Sequence, residues 1–215
     1  MGGLLVTLEG IEGSGKSTQA FQLQLKLQAL GVPVLLTREP GGTPLAERIR
    51  DVVLGVGQEP VDARTELLLF LAARAQHVAR KIRPALEQGR VVVCDRFTDA
   101  TLAYQGGGRT IPDDFLRSLN DWATGGLRPD RTYLVDVPVE VGAERGRARA
   151  GRPDRMESEG ARFFEAVRER YLEIAAREPE RVVVLRGTDS VESLSHQIIS
   201  DVSRLLSTRA PNLQR

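Results

Sequence analysis

Short apolar runs alternate with longer amphipathic stretches along the chain. Leu4–Glu9, Pro33–Arg38, Val91–Asp95, Thr132–Val137 and Val182–Arg186 are predicted strands. Most are continuously apolar, the pattern of parallel strands covered on both faces. Between them the apolar period lengthens to that of a helix. Ala20, Leu23, Leu27 and Leu30 make one face of a helix that stops at Gly31. Leu67, Leu71, Ala75, Val78, Ile82 and Leu86 stripe a longer pattern from Asp62 to Gln88, which Pro84 is expected to kink or end. Further helices are predicted near 112–123, 138–150, 157–177 and 190–208. The alternation predicts an α/β fold, a parallel five-stranded sheet flanked by helices. No repeat or linker divides the pattern, so one domain over residues 1–209 is expected, followed by a fraying tail at 210–215.

Composition narrows the class. In 215 residues, 41% are hydrophobic and the formal net charge is only +1, which excludes wholesale disorder. The same charge balance argues against a dedicated nucleic-acid partner. The single Cys excludes a disulfide framework or a Cys-rich metal site. No apolar run reaches the ~20 residues of a membrane span, and the N-terminus has no basic region or cleavage site of a signal peptide. A cytoplasmic protein with no membrane partner is expected. Among 30 basic residues only Lys16, Lys26 and Lys81 are lysines, so the setting of Lys16 is informative.

Lys16 lies in Gly10-Ile11-Glu12-Gly13-Ser14-Gly15-Lys16-Ser17, a G-x-x-x-x-G-K-[ST] motif between the first strand and the first helix. Glycines there let backbone N–H groups turn around phosphate oxygens, and the helix N-terminus adds partial positive charge. Lys16 is expected to reach the β- and γ-phosphates of a nucleotide, and Ser17 to hold Mg²⁺. A helix-capping turn is the plainer reading, but motif, strand and helix agree. Glu12 is unusual in an anion site. It reads either as a solvated loop charge or as an acceptor for a hydroxyl of a second substrate.

Two further constellations carry charge. A buried strand ends in Asp95-Arg96-Phe97, at the sheet edge where ligands bind in open α/β folds. Asp95 could serve Mg²⁺ and Arg96 could bridge phosphates; a strand-end ion pair is the alternative. Arg145, Arg147, Arg149, Arg152 and Arg155, set among Gly142, Gly146, Gly151 and Pro153, read as a solvated helix face or as a mobile lid over phosphates at about 142–157. Cys94 reads as packing, and His77 and His196 as surface or packing residues.

Taken together, the motifs resemble the thymidylate kinase family, bacterial type. The resemblance runs over nearly the whole chain. It rests on the phosphate loop, Thr37-Arg38-Glu39-Pro40-Gly41-Gly42-Thr43, Phe70-Leu71-Ala72-Ala73-Arg74-Ala75-Gln76 and Asp95-Arg96-Phe97. Ala103-Tyr104-Gln105-Gly106-Gly107-Gly108-Arg109 and Asp154-Arg155-Met156-Glu157 complete it. It implies a three-layer P-loop kinase fold with a short Arg-rich lid, and transfer of the γ-phosphoryl group of ATP to dTMP, giving dTDP, for dTTP synthesis. It also implies Mg²⁺ at Ser17 and Asp95, and a homodimer.

The resemblance assigns ATP to the loop from Gly10 to Ser17 with Thr18. It assigns catalysis to Lys16, Asp95, Arg96 and the lid residues Arg147, Arg149 and Arg152. By the same resemblance Glu12 reads the deoxyribose 3′-OH, Phe70 stacks on thymine, and Arg74 donates to its O4. Arg38, Arg50 and Arg96 clamp the dTMP phosphate, with Glu39 and Pro40 beside them. Gln105 meets the base edge and Tyr104 fills the ribose 2′ position. One family branch carries its catalytic arginine directly after the acidic loop residue; Gly13 stands there in this chain, so the lid is expected to supply the charge. Ala100 stands where a serine is common in the family, so that a minor bond to substrate is either missing or made by Thr101. From the residues alone, three rivals remain. They are a kinase for another acceptor, a P-loop motor or switch, and a nucleotide-binding module without catalysis.

Overall fold

The computed structural model describes residues 2–57, 59–148 and 154–209. Strands β1 (Leu4–Glu9), β2 (Val34–Arg38), β3 (Val91–Asp95), β4 (Arg131–Asp136) and β5 (Val182–Arg186) form one sheet. Their order is β2-β3-β1-β4-β5, and every neighbouring pair is parallel. The five strands begin and end within a residue of the positions that apolar patterning predicts. Every residue of β1, the central strand, is buried. Its register sets Leu8 beside Asp95, which in turn lies beside Arg38. The carboxyl ends of β1, β2 and β3 therefore converge, where open α/β sheets bind ligands.

Helices cover both faces. On one face α1 (Lys16–Ala29) and α9 (Val191–Arg209) pack Leu23, Leu27, Ile198 and Val202 against Leu4, Val6, Val93 and Tyr133. The other face is covered by α3 (Ala63–His77), α6 (Asp113–Thr124) and α8 (Ala161–Arg177). There Leu67, Leu71, Leu116 and Val167 join Leu134 and Val182 in one core. Gly31 ends α1 with φ 72 and bonds back to Gln28, as the sequence predicts.

Pro84 does not end the long helix. The chain passes from α3 through a π-helical turn, Val78–Ile82, into α4 (Arg83–Glu87). Proline lacks an N–H and crowds the carbonyl four residues back. The wider turn relieves this, and the N–H of Arg83 bonds to the carbonyl of Val78, five residues back. Two helical stretches lay outside the predicted set. α2 (Pro44–Leu54) starts with Thr43 accepting from the N–H of Ala46 and Pro44 at its first position, both ordinary start signals. The short α5 (Thr98–Thr101) runs into a second π-helical stretch, Leu102–Gly108. α7 (Val139–Arg147) ends sooner than the 138–150 of the pattern. The expected tail at 210–215 lies outside the described residues.

Candidate active site

The phosphate loop joins β1 to α1. Gly10, Gly13 and Gly15 all take positive φ, and α1 opens with neither a side-chain cap nor an acidic residue in its first turn. Its first N–H groups are thus left to an anion. Lys16 donates to the carbonyl of Ile11 at 3.2 Å and lies 3.6 Å from Glu12. Burial, and then Arg96, push the Lys16 ammonium down from its ordinary value; Glu12 and Asp95 act the other way. Ser17 donates to Oδ2 of Asp95. Oδ1 of Asp95 and Oγ of Ser14 are buried without a protein partner. Ser17 and Thr18 are exposed on the first turn.

Gly13 packs backbone to backbone against α7. A Cβ added to it would lie 2.1 Å from the carbonyl oxygen of Gly142, and a Cβ on Gly142 2.5 Å from that of Glu12. The loop has no room for an arginine at position 13, so charge over the phosphates has to come from elsewhere.

Beside the loop opens a cleft of about 940 Å³, counted with the solvent that enters it. Its lining brings together Glu12, Arg38, Glu39, Pro40, Arg50, Phe70, Arg74, Arg96, Ala100, Thr101, Tyr104 and Gln105, with Lys16, Ser17 and Asp95 at the loop side. Leu54, Asp154, Met156 and Glu157 complete the wall. Phe70 and Arg74 share a face of α3 one turn apart, so a half-buried ring and a buried guanidinium enter the same space. The plainer alternative, Phe70 as core and Arg74 as surface, does not hold for Arg74, which is only 3% exposed.

Ion pairs and hydrogen bonds fix most of these groups. Arg74 donates to Oε2 of Glu39 at 2.7 Å, to Thr101 and Asn120 at 2.6 Å each, and to the carbonyl of Phe97 at 2.8 Å. That uses four of five N–H groups and leaves one on Nη2. Arg96 sits at φ 70, a left-handed position rare for a non-glycine residue. It donates to Glu12 at 2.5 Å, Tyr104 at 2.8 Å, Tyr171 at 3.2 Å and the carbonyl of Gly10 at 2.9 Å. Tyr104 donates to Glu12 at 3.3 Å. Arg38 and Arg50 are held by Glu47 and by the carbonyl of Pro40. Burial, and then Arg38, lower the pKa of Arg50, with Arg96 adding to the effect. Three mutually repelling guanidiniums in the lining of one cleft suit an anion.

The site decides between readings left open. Of surface or packing, His77 is packing: it is fully buried, its Nδ1 donates to Glu39 at 3.0 Å, and its Nε2 meets Thr37 at 2.7 Å. Arg145 and Arg155 do not belong to a set of charges over phosphates. Arg145 donates to the carbonyl of Gly187, and Arg155 donates to Glu66 and the carbonyl of Val53. Arg147 is exposed in the last turn of α7, whereas Arg149 and Arg152 lie outside the described residues. Thr101 lines the cleft beside Ala100, and its hydroxyl accepts from Arg74, which leaves its own O–H to donate. Cys94 is buried and its thiol is pushed up by burial, consistent with packing.

Sequence reasoning missed Glu9 and Glu66. Glu9 accepts from the N–H of Phe97 and from Tyr171, each at 2.7 Å. It thereby holds the turn that carries Arg96.

Comparison with known proteins gives the family. Residues 8–198 match the family model described as thymidylate kinase. The chain belongs to the thymidylate kinase family. It is 55% identical over 198 residues to the thymidylate kinase of Pseudomonas putida (strain GB-1), covering 92% of this chain and 94% of that one. It is 54% identical over 213 residues to that of Pseudomonas syringae pv. syringae (strain B728a), covering 99% and 97%. The crystal structure of thymidylate kinase from Ehrlichia chaffeensis superposes with a TM-score of 0.75 at 34% identity, covering 94% of this chain and 99% of that one. Membership in this family makes the chain an ATP-dependent nucleoside monophosphate kinase that phosphorylates dTMP to dTDP.

Proposed function

We propose that the cleft is the dTMP site and that the phosphate loop delivers the γ-phosphoryl group of ATP to its mouth. The observation that carries the reading is the polarity of the cleft. Arg38, Arg50 and Arg96, close enough to repel one another, share its lining with Phe70, Arg74 and Gln105. A nucleoside monophosphate has that polarity: dianion, sugar, flat base. Arg74 offers O4 of thymine its remaining N–H. Glu12 and Tyr104, bonded to each other beside Arg96, meet the sugar between the two ends.

Ser17 and Asp95 hold Mg²⁺ in this reading. Their fit rests on the buried, partnerless Oδ1 of Asp95 beside the Ser17 hydroxyl. Among the described residues no group of three or more His, Cys, Asp or Glu side chains could hold a metal alone, and Mg²⁺ in such sites takes few protein ligands plus phosphate oxygens and water. When bound it neutralises charge on the β- and γ-phosphates. Lys16 and Arg96 add protein charge on either side of the transferring group in this reading, and Arg147, Arg149 and Arg152 remain the candidates for charge from the lid. The acceptor is already an anion, so no general base is required.

The working unit in this reading is a homodimer in the cytoplasm. Leu68 on α3 and Phe115 and Trp122 on α6 are 62%, 55% and 81% exposed, an apolar face that suits a second copy. Among the described residues no helix is long and apolar enough to cross a membrane, and no nucleic-acid partner is proposed.

The test is an acceptor panel: purified protein, ATP, Mg²⁺, and dTMP, dUMP, dCMP or ribo-TMP, with ADP release as readout. ADP formation should depend on dTMP. dUMP, lacking one methyl, should trail by about 1–3 kcal/mol in kcat/KM. dCMP should be poor, because its amino group faces the Arg74 donor. dCMP equal to dTMP would sink the assignment of Arg74, and turnover without acceptor would point to a motor or switch. Light scattering on the same sample reads the oligomeric state.

A further inference from the structure

Glu66 has no exposed side-chain surface, and its carboxylate is a hub of hydrogen bonds. Oε1 accepts from Nε2 of Gln105 at 2.9 Å and Nε of Arg109 at 3.2 Å; Oε2 accepts from Nη2 of Arg109 at 2.9 Å and Nη1 of Arg155 at 2.8 Å. Burial opposes its charge, but the bonds from Arg109, Gln105 and Arg155 hold the carboxyl below its ordinary value. Arg155 continues to the carbonyl of Val53 at 2.9 Å and, through its own N–H, to that of Leu54 at 3.0 Å. One carboxylate thus ties α3, the π-helical stretch with Gln105, the end of α2 and the 154–157 wall around one cleft.

The consequence lies at Gln105. An amide presents a carbonyl on one side and an NH₂ on the other, and nearly identical shape lets either face a ligand. An ionised carboxylate only accepts, so Glu66 draws the NH₂ of Gln105 to itself. With one N–H bonded to Glu66, the cleft-lining amide has its carbonyl Oε1 on the side away from that carboxylate, and Oε1 is the group this orientation offers a base. Thymine carries a donor at N3–H; cytosine carries a bare acceptor at N3. We propose that Glu66 is a positioning residue for base selectivity: it fixes the Gln105 amide as an acceptor. This inference rests on the reading of the cleft as the dTMP site.

Glu66→Gln tests it. The new amide keeps its carbonyl toward Nη2 of Arg109 and Nη1 of Arg155 and turns its NH₂ to Gln105 and Nε of Arg109, setting donor against donor. Gln105 then turns over and offers NH₂ to the base. KM for dTMP should rise about 10- to 100-fold, the size of one mismatched buried hydrogen bond, and the dTMP-to-dCMP ratio of kcat/KM should shrink by about tenfold or more. kcat for dTMP and KM for ATP should hold, which a merely loosened fold would not give. A folded Glu66→Gln with unchanged dTMP KM and unchanged ratio overturns the inference.

Gln105→Leu separates the two levels. If it leaves KM and ratio untouched, the reading of the cleft fails; if it moves them while a folded Glu66→Gln does not, only the role of Glu66 fails. Should Glu66→Gln not fold, the exchange Glu66→Gln with Gln105→Glu carries the test, since it restores a donor facing an acceptor and keeps an acceptor toward the base. Recovery of dTMP selectivity supports the inference. An exchange variant that folds without selectivity, or does not fold, overturns it.

Discussion

The two ends of the cleft are built differently. At the proposed base end the polar groups are tied to the protein itself: Arg74 to Glu39, Thr101, Asn120 and Phe97, and Gln105 to Glu66. At the phosphate loop Ser17 and Thr18 are exposed, and Ser14 Oγ and Asp95 Oδ1 are buried without a partner. Telling thymine from cytosine depends on donors and acceptors that cannot rotate to suit the wrong base, so their orientation is set before ligand arrives. Transfer requires groups that bond most strongly to charge present only in the transition state. Partners built into the protein would compete with that charge. In the proposed reading the groups that select are directed by bonds within the protein, and the groups that react keep, beside such bonds, buried atoms on Ser14 and Asp95 that the protein does not partner.

The largest expected effect tests whether the two ends are independent. Lys16→Ala removes a cation from the transfer end and disturbs only its contacts with Ile11 and Glu12. Turnover should fall by about 10²–10³, the usual loss for one such electrostatic contact. dTMP affinity, measured by calorimetry without ATP, should stay within about threefold. A collapse of dTMP binding in Lys16→Ala would show that the ends form one unit.

The reverse experiment strikes the base end. Arg74→Lys keeps the positive charge beside Glu39 but loses the planar fork that also reaches Thr101, Asn120 and the carbonyl of Phe97. With two of those acceptors left buried and unpaired, kcat/KM for dTMP should drop about 10- to 100-fold, mainly through KM. KM for ATP should not move. A variant with normal dTMP KM would mean that charge alone, and not its fixed direction, reads the base.

The same division governs what could be read from the residues alone. The transfer end is local: Gly10 to Ser17 is one contiguous motif between a strand and a helix, and its geometry follows from that order. The strands were legible because burial on both faces leaves continuous apolar runs. Glu66 was not legible. Its partners lie 39, 43 and 89 positions away, and in the first turn of α3 it looks like any acid favoured by a helix N-terminus. The π-helical stretches were hidden for another reason, since a bond to the fifth residue back shifts the apolar period for a single turn only. α2 was legible from Thr43 and Pro44 and from its apolar positions Leu45, Ala46, Ile49, Val52 and Val53, but it is short and only Ala46 and Val53 of these are buried.

The smallest expected effect on activity concerns Glu9, which lies beneath both ends and holds the turn bearing Arg96. Burial, and then Asp99, raise its pKa from 4.5 to about 7, while Arg96 and the bonds from Tyr171 and Phe97 oppose the rise. In the unfolded chain the carboxyl ionises near its ordinary value. Below about pH 4.5 both states are protonated and the stability contributed by Glu9 is fully present. Between pH 4.5 and about 7 the folded state holds a proton that the unfolded state has released, so stability declines as pH rises and levels off above 7. Glu9→Gln copies the protonated form, its carbonyl accepting from the N–H of Phe97 and its NH₂ donating to the Tyr171 oxygen. The variant should therefore gain on the wild type across that window by at least about 1 kcal/mol, since one pKa unit is worth ~1.4 kcal/mol. The gain should persist at pH 8, with kcat/KM for dTMP nearly unchanged. Urea midpoints at pH 5, 6, 7 and 8 decide it. Parallel pH curves would mean that Glu9 is ionised throughout and that Arg96 outweighs burial, which would make the floor of the cleft part of the same prepaired network as its base end.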